Sequence, residues 1–300
     1  MKRFLWIVLL GLLLCGCGAQ GEPAQIAATT LPVYEFTSRL CQGTPLTVTR
    51  LVTEQVSCLH DYSLNVRQVK AAEAAEVIVI SGAGLEDFLE DVLHQGNLLD
   101  ASLGIELLCP EDGHHHEHSD AQEHEEDHGH RGHSHDKDPH IWLSPANAIT
   151  MARNISLGLE QRYPQYTDLF RENLALLQQE LTALQLYGAE ALSGLSCREL
   201  ITFHDGFAYF ADTFDLQILE AVEEESGSEA SAKELIHLIE EVEHHRLPAI
   251  FTEKSGSVSA AQIISRETGC KTFPLDMAMA GDSYFEAMYH NIDTIKEALG

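Results

Sequence analysis

Histidine is the residue type that points most directly to chemistry in this sequence. The chain of 300 residues contains 17 His, and ten of them fall between His114 and His140. Neutral imidazole is the commonest metal-ligating side chain in proteins, and it suits zinc, copper, iron and nickel. This concentration of imidazole in one short stretch therefore indicates metal binding.

Several other polar residues come directly after predicted strands, where open α/β sheets bind their ligands. They are His204 and Asp205 after 199–202, Glu253 after 249–252, and Asp276 after 271–273. His60 lies in the loop after a predicted strand over 47–52, and His140 lies where the ordered pattern resumes. Three His and one Asp at the edges of two sheets predict a metal site in the cleft between two lobes. Alternatively, each His is an ordinary surface residue, Asp205 and Asp276 are caps, and Glu253 is a cap or supports a ligand.

Two blocks of alternating strands and helices must position these residues. In the first block, strands are predicted over 25–29, 47–52 and 77–81, and helices over 32–40, 65–75 and 85–94. In the second block, strands are predicted over 199–202, 217–221, 249–252 and 271–273, and helices over 206–214, 231–245, 257–268 and 283–299. Short apolar strands that alternate with helices are typical of covered parallel sheets. The predicted fold class is α/β, with two (β/α) lobes and mostly parallel sheets.

Two longer helices separate the blocks. Ser144 and Pro145 are a good N-cap and first-turn pair for a helix that runs to about residue 163. A second helix is predicted over 164–192, because apolar residues recur at spacings of four and three: Phe170, Leu174, Leu177, Leu181 and Leu184. At 1.5 Å per residue this helix is roughly 40 Å long, which suits a rigid link between lobes. The predicted domains are an N-terminal lobe over 25–163, a linking helix over 164–195 and a C-terminal lobe over 196–300.

Residues 111–138 interrupt the pattern, and we expect them to form a mobile loop because they contain almost no apolar side chains. Clustered imidazoles with carboxylates predict weak accessory metal sites. The histidines concerned are His114, His115, His116, His118, His124, His128, His130, His133 and His135. The loop either captures metal, passes it to the cleft or senses its abundance, or it is a solvated insertion of minor function.

The N-terminus is typical of a targeting segment. A basic start at Lys2 and Arg3 precedes an apolar run over 4–14, which is too short to span a bilayer. The run ends in Leu14-Cys15-Gly16-Cys17, which looks like a bacterial lipobox. We therefore predict a signal peptide over 1–16, lipidation of Cys17, a spacer over 17–24, and a lipid anchor on the extracytoplasmic face of the cell membrane. An ordinary secreted signal is the alternative.

Cysteine usage follows from that location. Removal of Cys15 and lipidation of Cys17 leave five cysteines in an oxidising compartment: Cys41, Cys58, Cys109, Cys197 and Cys270. Five is odd, so at least one thiol is free or pairs elsewhere. Cys197 and Cys270 both lie in the C-terminal third beside predicted strands, and they are the predicted disulfide.

The charge balance restricts the partners. Lys and Arg total 18 and Asp and Glu total 47, which gives a net charge of −29. So acidic a surface repels phosphate backbones, which excludes nucleic acid as the main partner and is compatible with a cationic ligand. We expect a monomer.

Several segments together carry a family resemblance. They are the lipobox, the acidic His-rich loop, Asp138-Pro139-His140-Ile141-Trp142-Leu143, the linking helix, Ile201-Thr202-Phe203-His204-Asp205-Gly206-Phe207 with Tyr209 and Phe210, and Gly281-Asp282-Ser283-Tyr284. In their order and spacing the chain resembles the substrate-binding lipoproteins of bacterial zinc and manganese ABC transporters. The resemblance implies two (β/α) lobes, a rigid linking helix, one divalent metal in the cleft and a membrane ABC permease as partner.

Carried over by position, the resemblance makes His60, His140, His204 and Asp276 the metal ligands. Relatives that look manganese-specific usually have a carboxylate at the position of His204. Three imidazoles and one carboxylate suit tetrahedral zinc, whereas manganese prefers more oxygen, so zinc is favoured. Around His60 the chain departs from the family, since it lacks the usual preceding Pro and following Glu-Pro pair. Cys58 is either a soft zinc ligand, half of a disulfide or a free thiol.

The predicted function is an extracytoplasmic receptor that captures Zn²⁺ and delivers it to an ABC-type permease. The alternatives are a manganese receptor of the same family, an extracellular zinc-dependent hydrolase, or a surface adhesin. A hydrolase needs an open coordination position, and the sequence contains no His-Glu-x-x-His motif, nucleophile elbow or Gly-rich phosphate loop. We therefore predict no enzymatic activity.

Overall fold

The computed structural model describes residues 25–54, 59, 62–89, 97–108, 137–222 and 230–300. The first lobe is built on a parallel sheet of four strands, β1 (Ile26–Ala28), β2 (Val48–Arg50), β3 (Val77–Ile80) and β4 (Leu98–Asp100), in the order β2-β1-β3-β4. Helix α1 (Leu31–Leu40) follows β1, and α2 (Val66–Ala74) precedes β3. The Asn65 side chain accepts from the main-chain N–H of Arg67 and Gln68 and so caps α2.

Two long helices follow the first sheet. Helix α3 (Pro145–Arg162) is preceded by a 3-10 turn over Ile141–Leu143, and α4 (Thr167–Ala191) is preceded by a 3-10 turn over Pro164–Tyr166. Helix α4 buries Phe170, Leu177, Leu181 and Leu184, as the apolar spacing predicts. It contacts α1 and α3, and it also contacts the final helix of the chain, so it joins the two lobes.

The second lobe repeats the topology of the first. Its strands are β5 (Glu199–Thr202), β6 (Gln217–Ala221), β7 (Ala249–Glu253) and β8 (Lys271–Leu275), all parallel, in the order β6-β5-β7-β8. Its helices are α5 (Ala208–Thr213), α6 (Ala232–His245), α7 (Ser259–Thr268) and α8 (Tyr284–Leu299). One apolar cluster runs through both lobes and includes Phe36, Trp142, Phe170, Phe251 and Met288, all at most 1 % exposed. The prediction of two α/β lobes with parallel sheets and a long helix between them is confirmed.

Several elements are shorter than predicted by one to three residues at an end, and three differ more in kind. Strand β4 was not predicted, because three residues carry no periodic signal and the strand exists only beside β3. Of the helix predicted over 85–94, the described part contains one 3-10 turn over Asp87–Leu89, and residues 90–96 lie outside the described residues. Strand β8 continues two residues beyond its predicted end and includes Pro274. An edge strand tolerates a proline there because that position need not donate to the ladder.

The predicted disulfide between Cys197 and Cys270 is wrong. Both side chains are free thiols, and the Cys197 thiol lies 3.7 Å from the carbonyl oxygen of Glu199. Cys197 precedes β5 and Cys270 precedes β8, and strand β7 lies between those two strands. Two strand spacings separate the cysteines by about 9 to 10 Å, whereas a disulfide requires Cα atoms closer than about 7 Å.

Several predictions concern residues outside the described part of the chain. The signal peptide, the lipidation site Cys17, the ligand His60, Cys58, Cys109 and all nine histidines from His114 to His135 belong to this group. Within the part that is described, no helix combines the length and apolar character needed to cross a membrane.

Candidate metal centre

His140 is presented by the 3-10 turn between the His-rich segment and α3. Its side chain is buried, at 3 % exposure. The carboxylate of Asp138 accepts from the main-chain N–H of His140 and lies 2.8 Å from the ring Nδ1. A carboxylate on Nδ1 fixes the ring and makes Nε2 the nitrogen available to a metal. Asp138 is also buried, and its second oxygen has no hydrogen-bond partner in the described structure.

His204 reaches the same place from the other lobe. It lies two residues after the end of β5, and its ring centroid lies 5.3 Å from that of His140, with the ring planes at 83°. Two imidazoles that share a tetrahedral zinc ion at about 2.0 Å have centroids about 5 Å apart, so this pair fits one zinc ion. Glu253, at the end of β7, places a carboxylate oxygen 4.0 Å from His204 Nδ1.

Gly206 permits this approach of the two imidazoles. A Cβ added at Gly206 would lie 2.5 Å from the methyl carbon of Met277, 2.8 Å from Cδ2 of His204 and 3.1 Å from Nδ1 of His140. Carbon atoms in ordinary contact are about 3.5 to 4.0 Å apart, so any side chain here displaces both rings or Met277. Only glycine, which has no side chain, fits at position 206 without moving its neighbours.

Asp276 lies at the end of β8, and its position is fixed from three directions. Its main-chain N–H donates to Asn291, whose amide donates back to the Asp276 carbonyl, both at 2.7 Å. Its Oδ1 accepts from the main-chain N–H of Ala278, a non-glycine residue with a positive φ of 55°. Its Oδ2 lies 3.1 Å from the ammonium of Lys254.

Trp142 connects the segments that carry the candidate ligands of the two lobes. Its indole N–H donates to the carbonyl of Met277, the residue after Asp276, at 2.8 Å. Its own carbonyl accepts from the Tyr284 hydroxyl at 2.8 Å. Trp142 is fully buried, so the segments that carry His140 and Asp276 are held together in the interior.

Leu108 and Asp138, which lie on either side of the His-rich segment (109–136) in the chain, are bonded to each other close to His140. The main-chain N–H of Asp138 donates to the carbonyl of Leu108 at 2.9 Å. The Tyr209 hydroxyl donates to the carbonyl of Asp138 and accepts from the N–H of Leu108, both at 3.0 Å. Leu108, Asp138 and Tyr209 therefore form a hydrogen-bonded cluster, which we call the neck.

A buried carboxylate lies at the carboxyl edge of the first sheet. Glu86 accepts from the Thr29 hydroxyl and the Ser81 N–H at 2.7 Å, and from the Gly82 N–H at 2.9 Å. Burial, with a smaller contribution from the charge of Asp100, raises the pKa of Glu86 to about 7, although the three donors oppose the shift. Glu86 therefore titrates near neutral pH in the folded protein.

The structure brings some of the predicted residues together and not others. His140 and His204 are adjacent, whereas the Asp276 carboxylate is bonded to Lys254. In the described ranges no group of three or more His, Cys, Asp or Glu side chains is arranged to hold a metal ion. Asp205 is not the N-cap of α5, because Phe207 occupies that position. Ser144 does occupy the N-cap position of α3, but its side chain makes no capping bond there.

Three residues of the centre were not predicted. Asp138 is two residues before His140 in an Asp-Pro-His sequence, which is a usable signal for a carboxylate that supports an imidazole. Gly206 also has a usable signal, because a glycine two residues after a strand-end His allows close approach of the main chain. Lys254 has no such signal, since its contact with Asp276 depends on the order of β7 and β8.

Comparison with known proteins gives a consistent set of similarities. A family model for zinc-uptake complex component A (ZnuA), described as periplasmic, matches residues 26–298. Zinc-binding protein AdcA of Streptococcus pyogenes serotype M3 is 28 % identical over 294 residues. That match covers 93 % of this chain and 56 % of the AdcA chain, so the chain spans about half the length of this relative.

Solved structures give the same picture. A crystal structure of ZnuA is 27 % identical, with a TM-score of 0.76, and covers 92 % of this chain and 100 % of its own. The Zn(II)-bound ZnuA-like domain of AdcA from Streptococcus pneumoniae is 25 % identical, with a TM-score of 0.74, and covers 93 % and 99 % of the two chains.

Proposed function

This chain belongs to the ZnuA family of zinc-uptake complex components, and from that premise we propose that it is an extracytoplasmic receptor for Zn²⁺. The metal binds between the two lobes and is delivered to an ABC-type permease. Zinc is the transported ligand rather than a resident cofactor. The family is one of transport components, and we assign no catalytic residue.

The observation that carries this proposal is the pairing of His140 with His204. The two rings come from different lobes, they are separated by a distance that suits one zinc ion, and the first is oriented by a buried carboxylate. A surface pair of histidines needs neither the buried Asp138 nor the glycine that lets the rings approach. The zinc-binding names of AdcA and of its zinc-bound domain support the same metal.

The proposed ligand set is His60, His140, His204 and Asp276. Imidazole nitrogens outnumber carboxylate oxygens in this set, which favours zinc over manganese. In the structure the Oδ2 of Asp276 is paired with the Lys254 ammonium and its Oδ1 accepts from the Ala278 N–H, so a metal that binds Asp276 meets a cation already in place. A site with four protein ligands has no open position for a substrate, which disfavours the hydrolase alternative.

The proposed location of the protein is the outer face of the cell membrane, and the proposed accessory metal sites lie in the His-rich segment. We propose that Cys17 is lipidated after removal of residues 1–16 and that the chain acts at the outer face of the membrane. The related AdcA of Streptococcus pneumoniae is described as a zinc-binding lipoprotein. We further propose that the histidines of the His-rich segment bind additional zinc weakly. The neck formed by Leu108, Asp138 and Tyr209, the first two of which flank that segment in the chain, lies close to His140.

The test is a competition titration of zinc and manganese against a chromophoric chelator. His204→Ala is expected to weaken zinc binding by a factor of 100 or more, since each lost ligand removes several kcal/mol of coordination. His204→Glu is expected to shift the preference toward manganese, because it replaces nitrogen with oxygen. His237→Ala is the matched control, since His237 is exposed on α6 and bonds to Glu220. Zinc affinity and selectivity that stay unchanged in both His204 variants would contradict the proposal.

A further inference from the structure

Lys254 and Asp276 face each other at the ends of neighbouring strands. Glu253 pairs with Leu275 in the ladder between β7 and β8, and the main-chain N–H of Lys254 donates to the Leu275 carbonyl at 2.8 Å. The next residue along each strand is therefore Lys254 on one side and Asp276 on the other. The ammonium of Lys254 lies 3.1 Å from Asp276 Oδ2.

We propose that Lys254 is the resident cation of the metal-free centre, whose ammonium occupies Asp276 until an incoming divalent cation displaces it. Lys254 then sets both the affinity of the centre and the ease with which it releases metal. This inference rests on the proposed function, because it assumes that Asp276 is a metal ligand. It goes beyond that function by assigning a competing role to a residue that does not bind metal.

The competition follows from charge, because a metal on the Asp276 carboxylate and the Lys254 ammonium would be neighbouring cations. Oδ1 is bonded to the Ala278 N–H, and Asn291, which is fully buried, holds the main chain of Asp276 at both its N–H and its carbonyl. These bonds hold the Asp276 carboxylate beside the Lys254 ammonium. Each carboxylate oxygen has two lone pairs, so the metal and the ammonium compete through the repulsion between their charges rather than for one lone pair.

Moving the Lys254 ammonium away from Asp276 costs little free energy, and the ammonium returns when the metal leaves. The Lys254 side chain is 62 % exposed, whereas that of Asp276 is 16 % exposed. A long exposed lysine moves its charge into water with little desolvation cost, and an ion pair with one exposed partner stabilises only weakly. A divalent ion beside Asp276 repels the ammonium, and loss of that ion leaves a largely buried carboxylate that attracts the ammonium again.

Glu253 lies beside the other candidate ligand, His204. It precedes Lys254 in the chain, and its carboxylate lies 4.0 Å from His204 Nδ1. The end of β7 thus presents an anion to one candidate ligand and a cation to another.

The first experiment measures zinc affinity and dissociation in Lys254→Met and Lys254→Arg. Lys254→Met is expected to bind zinc roughly three- to tenfold more tightly and to release it correspondingly more slowly, because competition and repulsion are both removed. Lys254→Arg keeps the charge and is expected to stay near the wild-type affinity. Lys271→Met is the matched control, since Lys271 is exposed at the opposite end of β8. Unchanged or weaker zinc binding in Lys254→Met would overturn the proposal.

The second experiment follows the lysine itself. Amine acylation read by mass spectrometry is compared in the metal-free and zinc-saturated protein. The acylation rate of Lys254 is expected to rise at least twofold when zinc binds, and that of Lys271 is expected to stay constant. An equal rate for Lys254 in both states would show that the ammonium is not displaced.

The two experiments separate failure of this inference from failure of the proposed function. If the wild-type protein binds no zinc tightly, the function itself is wrong. If the wild type binds zinc but neither the affinity of Lys254→Met nor the acylation of Lys254 changes, the function stands and the competing role of Lys254 is wrong.

Discussion

Trp142 donates its indole N–H to the main-chain carbonyl of Met277 at 2.8 Å, and this bond joins the segments that carry His140 and Asp276. The carbonyl of Trp142 in turn accepts from Tyr284, the first residue of α8. The candidate ligands of the two lobes are therefore connected through buried hydrogen bonds. The long helix α4 provides a separate connection.

Replacing Trp142 is expected to destabilise both lobes together. Trp142→Phe leaves the buried Met277 carbonyl without its donor and opens a cavity, so the free energy of unfolding should fall by about 2 to 4 kcal/mol. Tyr284→Phe removes only one hydroxyl and should cost about 1 to 2 kcal/mol. Chemical denaturation of the metal-free protein measures both. A loss below about 0.5 kcal/mol in Trp142→Phe would show that this connection is unimportant.

Asp138 is expected to control zinc affinity without binding zinc. Asp138→Ala removes the carboxylate that orients His140, and the loss of such a supporting group typically weakens metal binding by about 10- to 100-fold. Asp138→Asn retains an acceptor oxygen and should lose less. Asp282→Asn, at an exposed position, controls for the change in charge. Competition titration would contradict the orienting role if Asp138→Ala bound zinc like the wild type.

Gly206→Ala tests the close approach of the two imidazoles. The added methyl group displaces His140, His204 or Met277. Zinc affinity should therefore fall by about tenfold or more, since a loss of about 1.4 kcal/mol of binding free energy is a tenfold loss of affinity. Gly194→Ala is the control, because an added Cβ there meets no atom within 4 Å. If both variants bound zinc equally well, the spacing of the rings would not depend on Gly206.

Glu86 is expected to make stability fall as the pH rises. The fold raises its pKa from 4.5 to about 7, so between these values the unfolded chain has released a proton that the folded protein still holds. The contribution of Glu86 to the free energy of unfolding, about 3 kcal/mol, is therefore fully present below about pH 4.5 and is lost as the pH rises through about 7. Glu86→Gln is expected to remove this fall in the free energy of unfolding with pH, and Glu73→Gln, at an exposed position, is expected to leave it unchanged. Denaturation at several pH values in the presence of chelator tests this, and an unchanged slope in Glu86→Gln contradicts it.

The parts of the fold that depend on local signals were predictable. Strands β5 and β6 begin and end at their predicted residues, and the caps Asn65, Ser231 and Ser283 mark helix starts because each side chain bonds within its own first turn. Strand β4 was missed because its three residues form a strand only against β3. The disulfide prediction was wrong because the position of β7 between β5 and β8 cannot be read from cysteine spacing.

Of the candidate site, the parts that depend on local sequence could be predicted and the parts that depend on strand order could not. The positions of His140 and His204 were predictable from where order resumes and from a strand end, and the structure places their rings together. The contact of Lys254 with Asp276 was not predictable, because it arises from two strands that are neighbours in space and separated by α7 in the chain. The assignment of His60 as a ligand remains a prediction.

The central claim is that the tight zinc site lies between the lobes and not in the His-rich segment. It is tested most directly by the zinc stoichiometry and affinity of a variant that lacks residues 113–136, with and without His204→Ala. The neck formed by Leu108, Asp138 and Tyr209 should preserve the fold of this variant. We expect the deletion variant to retain one tightly bound Zn²⁺ per chain and to lose it when His204→Ala is added. Loss of the tight site on deletion alone would contradict the claim.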